Sequence, residues 1–199
     1  MLNDVFPFIV DDLVAQGFSL QTNCLDTDLI QALALAAQQE ASFRPAGVGQ
    51  SAKRHGQVRS DQIRWLETDD SRPCVRAYLS WLESLKSYLN RELFLGLQEI
   101  ESHFAYYPPG AFYTRHRDQF THQDTRRISL VLYLNPDWEN THGGELLLYN
   151  ESGSIDQAVE PRLNNLLVFL SDKLHEVKVT HHHRYSITAW MLRGAGCRV

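Results

Sequence analysis

Four side chains carry most of the chemistry this sequence can do: His116, Asp118, His175 and Arg184. His116 and Asp118 stand two apart in Tyr113-Thr114-Arg115-His116-Arg117-Asp118. On a strand, positions i and i+2 point the same way, so an imidazole and a carboxylate can converge on one ion. Among nine histidines such a pair arises often by chance, and alone it identifies nothing. A third ligand is expected from His175, in Ser171-Asp172-Lys173-Leu174-His175-Glu176-Val177, just after the apolar run Leu166 to Leu170. Two neutral imidazoles and one carboxylate on one side of a metal leave three positions open, which is the facial triad of non-haem Fe(II) oxygenases. A structural zinc would instead close its shell with four protein ligands. Open positions let one ion hold a co-substrate and O2 together.

Arg184 begins the stretch Arg184-Tyr185-Ser186-Ile187-Thr188-Ala189-Trp190, in which Arg184, Ser186, Thr188 and Trp190 share one face of an extended strand. A guanidinium fork beyond the metal can grip the far end of a dicarboxylate while the near end chelates iron. This predicts 2-oxoglutarate, and Tyr133 is placed to donate its hydroxyl to the same carboxylate. The His-Arg-Asp string has the look of a kinase catalytic loop, but no Asn follows Asp118 at the required distance, and no Gly-rich phosphate loop or Asp-Phe-Gly is present.

The elements that must position these groups fall into two textures. Phe6, Ile9, Val10, Leu13 and Val14 predict a helix stopped by Gly17, followed by a short strand from Phe18 to Leu20. Asp26 or Thr27 can cap a second helix through Gln39, with Leu29, Ile30, Leu33, Ala36 and Ala37 as its apolar stripe. A third runs from Ser71 to about Asn90, with Pro73 in its first turn. Between the last two lies a Gly-rich basic stretch, Arg44 to Ser60, leading into a candidate strand Gln62 to Leu66. From Leu97 onward, short β-type runs at 97–107, 111–117, 126–135, 145–149, 164–170, 175–179 and 184–192 predict a sandwich or jelly roll. The expected class is a single α+β domain over 1–199, with helices packed outside a β core.

Composition narrows the partners. Nineteen Lys+Arg against twenty-four Asp+Glu leave a net charge of −5, so there is no basic field to collect phosphate backbones or anionic lipid. Nucleic acid and membrane are therefore not expected partners. The three cysteines, Cys24, Cys74 and Cys197, form no Cys-x-x-Cys pair, which fits a reducing compartment. With no basic, apolar leader before Asn3 and Asp4, a cytoplasmic, monomeric protein is the expectation.

With these residues in order, the chain resembles the 2-oxoglutarate and Fe(II)-dependent dioxygenases, and within them the prolyl hydroxylases of the oxygen-sensing type, over roughly residues 55 to 192. The resemblance rests on Tyr107-Pro108, His116-Arg117-Asp118, Tyr133-Leu134-Asn135, Gly143-Gly144-Glu145-Leu146, Ser171-Asp172 with His175, and Arg184 through Trp190. Arg59-Ser60-Asp61-Gln62-Ile63-Arg64-Trp65 is similar to that family's mobile substrate-covering loop. Collagen-type relatives place Lys where Arg184 stands. The resemblance implies a double-stranded β-helix, Fe(II) on His116, Asp118 and His175, and 2-oxoglutarate on Arg184 with Tyr133, bordered by Tyr107, Thr188 and Trp190. It also implies O2 as oxidant, ascorbate as reductant, and a proline-containing protein or peptide substrate against Arg59, Asp61, Trp65 and Arg126. For bacterial members, elongation factor Tu is the precedent.

Other readings stay open on sequence grounds. A nucleic-acid demethylase on this scaffold would carry a second Arg where Trp190 stands. A free-proline or small-metabolite hydroxylase shares the same triad, and a zinc hydrolase or a silent binding module would consume no O2. His181-His182-His183 point in successive directions and are read as solvated. His55, His103, His122 and His142 show no partner spacing, and Gly143-Gly144 is read as a tight turn. Asp61 and Arg126 are expected to pair at the pocket mouth, closing a loop over substrate.

Overall fold

Alternation of side chains along the central strands decides the architecture. In the computed structural model, which describes residues 5–47, 58–119 and 125–194, eleven strands form two antiparallel sheets. The larger sheet runs in the order β1 (Phe18–Thr22), β9 (Asn165–Leu170), β6 (Arg126–Tyr133), β11 (Arg184–Arg193), β4 (Leu97–Tyr107), β3 (Gln62–Trp65) and β2 (Arg44–Pro45). The smaller is β5 (Tyr113–His116), β10 (His175–Val177), β7 (Leu146–Tyr149) and β8 (Ile155–Val159). On β6, Ile128, Leu130 and Leu132 pack with the helices, whereas Val131 and Tyr133 belong to the cluster between the sheets. The β11 strand repeats the pattern: Ile187, Ala189 and Met191 join the helical side. A period of two therefore hands one face of the large sheet to the support and the other to the site. The result is the expected jelly roll, a double-stranded β-helix with helices outside.

Three helices cover the outer face. The α1 helix (Phe6–Gln16) ends at Gly17, whose φ of 77° is the left-handed cap the sequence called for. Asp26 caps α2 (Thr27–Gln38) by accepting from the Asp28 N–H. The longest, α3 (Pro73–Leu93), starts on its proline and runs three residues past the expected Asn90, stopping where Phe94 adopts φ 54°. Its stripe of Val75, Trp81, Leu82, Leu85 and Leu89 is buried against the large sheet, each such side chain contributing about 1.5–3 kcal/mol.

The strands differ from the sequence reading at the edges. Runs 111–117, 126–135 and 175–179 shrink to Tyr113–His116, Arg126–Tyr133 and His175–Val177. Two strands were not anticipated: β2, only two residues long, and β8, whose Asp156 and Gln157 at an exposed edge break the apolar alternation. Residues 48–57 of the basic stretch, with His55, lie outside the described residues, as do His122 and Cys197.

Asn135, just after β6, ties the strands that flank the pocket. Its Oδ1 accepts the Tyr185 N–H at 2.6 Å, and its amide donates to the carbonyls of Tyr185 at 2.9 Å and Pro161 at 2.7 Å. Replacing it with alanine takes this partner from the Tyr185 N–H and the Pro161 carbonyl, while the Tyr185 carbonyl keeps the Leu134 N–H at 3.1 Å, so Asn135→Ala is expected to lower unfolding free energy by about 2–4 kcal/mol in a denaturant titration. Unchanged stability would show that water substitutes for the amide.

Candidate metal centre and co-substrate pocket

The antiparallel register of β5 and β10 sets His175 opposite His116, placing their ring centroids 4.1 Å apart although 59 positions separate them in the chain. Each Nδ1 faces a carbonyl of its own segment, His116 to Thr114 at 2.8 Å and His175 to Lys173 at 3.0 Å. An Nδ1–H donating there leaves both Nε2 lone pairs directed inward. Asp118 has already left β5; its N–H donates to the Ser171 carbonyl at 3.1 Å, turning the carboxylate back. The two Nε2 atoms each lie 3.7 Å from a carboxylate oxygen of Asp118, and the three ligand atoms fall within 4.8 Å of one another. Among the described residues this is the sole His/Cys/Asp/Glu group so arranged.

Electrostatics favour the ligating forms. Burial pushes His175 down to about 4 against the pull of Asp118, so its imidazole is neutral at neutral pH. Burial opposes ionising Asp118, but His175, His116 and the Ser129 hydroxyl, which donates to Oδ2 at 2.7 Å, hold its carboxyl well below the usual range. His116 also stacks on Tyr113, centroids 3.5 Å apart. The donor set of two imidazoles and one carboxylate suits Fe(II) with open positions.

The triad forms one wall of a cavity, and Arg184 forms another. Arg184 is 1% exposed; its Nε donates to the Gly144 carbonyl at 3.0 Å, while Nη2 has no hydrogen-bond partner among the described residues. The Tyr133 hydroxyl and Ser186 Oγ are orphaned likewise. Buried polar atoms are nearly always paired, and three orphans around one buried cation fit an anionic ligand with several acceptor oxygens. Thus the residues present fit 2-oxoglutarate as well as iron. Tyr107 lies under the guanidinium at 4.7 Å, and Thr188 and Trp190 line the same cavity. Tyr133 packs behind Arg184, 5.2 Å from ring centroid to guanidinium carbon. Gly144, at φ +69°, does more than turn the chain: a Cβ there would meet Arg184 Cδ at 3.1 Å.

An outer hollow adjoins this cavity, bordered by Arg59, Trp65, Trp190 and Arg126. The expected pairing of Asp61 with Arg126 is corrected by the structure. Asp61 accepts two hydrogen bonds from Arg59, at 2.7 and 2.5 Å, because the two stand two residues apart just before β3. Arg126 donates to Glu101 at 2.6 Å and lies 3.7 Å over Trp190. Trp65 is 44% exposed at the mouth. The His181–His183 run is exposed as expected, yet His183 hydrogen-bonds the Tyr106 hydroxyl at 2.7 Å and His182 stacks on His142 at 4.5 Å. Sequence reasoning assigned no role to Ser129 or Ser171, whose hydroxyls form a 2.9 Å contact behind Asp118. It also passed over His103, a cavity residue in phase with Tyr107 on β4 and so open to detection by the period of two.

Comparisons with known proteins agree with this geometry. The profile of the 2OG-Fe(II) oxygenase superfamily matches residues 102–192. The chain is 34% identical over 146 residues to mouse prolyl hydroxylase EGLN3, covering 70% of this chain and 60% of that protein. It is 31% identical over 152 residues to human Egl nine homolog 1, covering 72% and 35%. The chain thus spans less than two thirds of the length of these curated relatives. A crystal structure of a Pseudomonas putida prolyl-4-hydroxylase superposes with a TM-score of 0.87 at 38% identity, over 96% of this chain and all (100%) of that one. A Trichoplax adhaerens prolyl hydroxylase, solved with a hypoxia inducible factor oxygen degradation domain peptide fragment, gives 0.84 at 28% identity, over 96% and 90%. Triad, buried guanidinium, jelly roll and relatives lead to one statement: this chain belongs to the 2OG-Fe(II) oxygenase superfamily, on its prolyl hydroxylase branch.

Proposed function

We propose that this protein is an Fe(II)- and 2-oxoglutarate-dependent prolyl hydroxylase that places oxygen on C4 of a prolyl residue in a protein, elongation factor Tu being the first candidate substrate. The observation that carries the reading is the buried Arg184 with its orphaned Nη2, set in the same cavity as the His116, Asp118, His175 group. A zinc hydrolase has no use for such a cation. When bound, Fe(II) with 2-oxoglutarate and O2 supplies the oxidation: one oxygen atom goes to the C–H bond and the other to succinate, with loss of CO2.

The protein's own contribution is placement. His116, Asp118 and His175 hold the metal on one side only. Arg184, backed by Tyr133, anchors the far carboxylate, with Tyr107, Thr188 and Trp190 bordering the co-substrate. Val131, Leu146 and Phe169 line the cavity and keep water from it. Arg59, locked to Asp61, joins Trp65 and Arg126 in a wall suited to an extended peptide. We read residues 1–95 as support and substrate wall for the catalytic β-helix at 96–199, in one domain. Ascorbate as reductant and a cytoplasmic monomer complete the proposal, in keeping with Cys24 and Cys74 as free thiols. Among the described residues no helix is long and apolar enough to cross a membrane.

Incubating the purified chain with Fe(II), 2-oxoglutarate, ascorbate and air is expected to add one oxygen to a proline, first in purified elongation factor Tu and otherwise in a protein of a bacterial extract. Tryptic mass spectrometry locates it. Oxidation confined to free amino acids would replace this reading with that of a metabolite hydroxylase.

A further inference from the structure

His103 belongs to the pocket wall yet has no part in the roles assigned above. It sits within β4, paired across strands with Trp65 on one side and Thr188 on the other. Its ring lies 5.0 Å from Trp65 and 5.1 Å from Trp190. The residue is 2% exposed, and Nδ1 finds no hydrogen-bond partner among the described residues. It borders both the inner cavity with the triad and the outer hollow, so it stands where a chain reaching the metal must pass. A leucine or methionine could fill this wall without burying an unpaired nitrogen. An imidazole retained here therefore points to a ligand.

The kind of ligand follows from charge and position. Burial, with Arg59 and Arg126 nearby, pushes His103 down to about 3, so the ring is neutral, one nitrogen a donor and the other an acceptor. Arg184 lines only the inner cavity of the two, whereas His103 also borders the outer hollow with Trp65 and Arg126. A co-substrate anchored on Arg184 is held in the inner cavity, and a group that meets the imidazole from the outer hollow comes through the mouth.

We propose that His103 is a specificity-determining residue that hydrogen-bonds a backbone amide of the substrate beside the target residue, holding the peptide between Trp65 and Trp190. The proposal rests on the peptidyl substrate argued above. Its test uses a synthetic peptide centred on the proline that mass spectrometry finds oxidised, with wild type, His103→Leu and His103→Asn. Three quantities are read: KM for peptide and for 2-oxoglutarate, peptide affinity of the anaerobic Mn(II) and 2-oxoglutarate protein by tryptophan fluorescence, and thermal midpoint. His103→Leu is expected to weaken peptide binding and raise peptide KM on the order of tenfold, leaving KM for 2-oxoglutarate unchanged and the midpoint equal or higher. His103→Asn, which keeps a donor and an acceptor, restores most of the affinity. Unchanged peptide affinity in His103→Leu, a rise in KM for 2-oxoglutarate instead, or a lowered midpoint with no rescue by asparagine would each overturn it. Should the leucine variant fail to fold, the asparagine variant decides: near wild-type affinity supports the role, a tenfold loss removes it. Absence of any proline oxidation by the wild type would instead bring down the functional reading itself.

Discussion

Asp118→Ala is expected to abolish substrate-dependent succinate formation while leaving a folded protein. The carboxylate is the sole anion of the triad, and both Nε2 atoms face it at 3.7 Å, so its loss removes a ligand together with the charge that balances the cation. Outer-shell changes at metal sites cost about 10- to 100-fold in affinity or activity, and removing a ligand must cost more. Ser129→Ala supplies that internal scale: its hydroxyl only orients Asp118, so a loss within the smaller range is expected there. The fold survives because the neutral His175 needs no counter-charge, and the strands around it are held by their own ladders. Equilibrium dialysis against Mn(II), circular dichroism and succinate release measure the three consequences separately. Retained Mn(II) binding with lost turnover would take Asp118 out of the metal site and leave it a role in substrate handling alone.

How much of this was legible beforehand depends on the range of the interaction. His116, Asp118, Arg184 and its strand face could be read because residue type and close spacing are local properties, and His175 could be named as the third ligand from its place after an apolar run and from the family resemblance. The contact that brings His175 to His116 was not itself visible, since it needs the antiparallel register of two short strands with a bulge between His175 and Val177. The helices were legible through apolar stripes and caps, and their bounds differed by one to three residues, most at α3's end, where a non-glycine residue takes the left-handed cap. Edge strand β8 escaped because a solvent-facing edge carries no apolar alternation. The Asp61–Arg126 pairing failed for a related reason. A loop carboxylate was expected to close onto a guanidinium across the mouth, but Arg59, two residues away, reaches Asp61 first with a two-pronged hydrogen bond. His103 was set aside because its neighbours, Trp65 and Thr188, come from other strands and leave no mark in sequence spacing.

Arg184 combines deep burial with unused hydrogen-bonding capacity, and that combination makes function and stability separate. Arg184→Met is expected to raise KM for 2-oxoglutarate by about a hundredfold or more, since breaking a buried, hydrogen-bonded charge pair costs roughly 2–5 kcal/mol. The same change relieves the free protein of a guanidinium whose Nη2 is unpaired, and substitutions of buried charge by apolar residues of similar volume are often neutral or stabilising. The thermal midpoint of the unliganded variant is thus expected to match or exceed that of wild type. Stabilisation by 2-oxoglutarate, which scales with the logarithm of ligand concentration over Kd, should disappear. Arg184→Lys sharpens the case. It keeps the charge but replaces the planar fork with a point ammonium, and the Gly144 carbonyl at 3.0 Å loses its Nε partner. An intermediate KM is expected for lysine, showing that geometry and charge both count. Equal KM values for the arginine, lysine and methionine forms would mean that the dicarboxylate is anchored elsewhere, and the cavity would have to be reassigned around the orphaned Ser186 and Tyr133 hydroxyls.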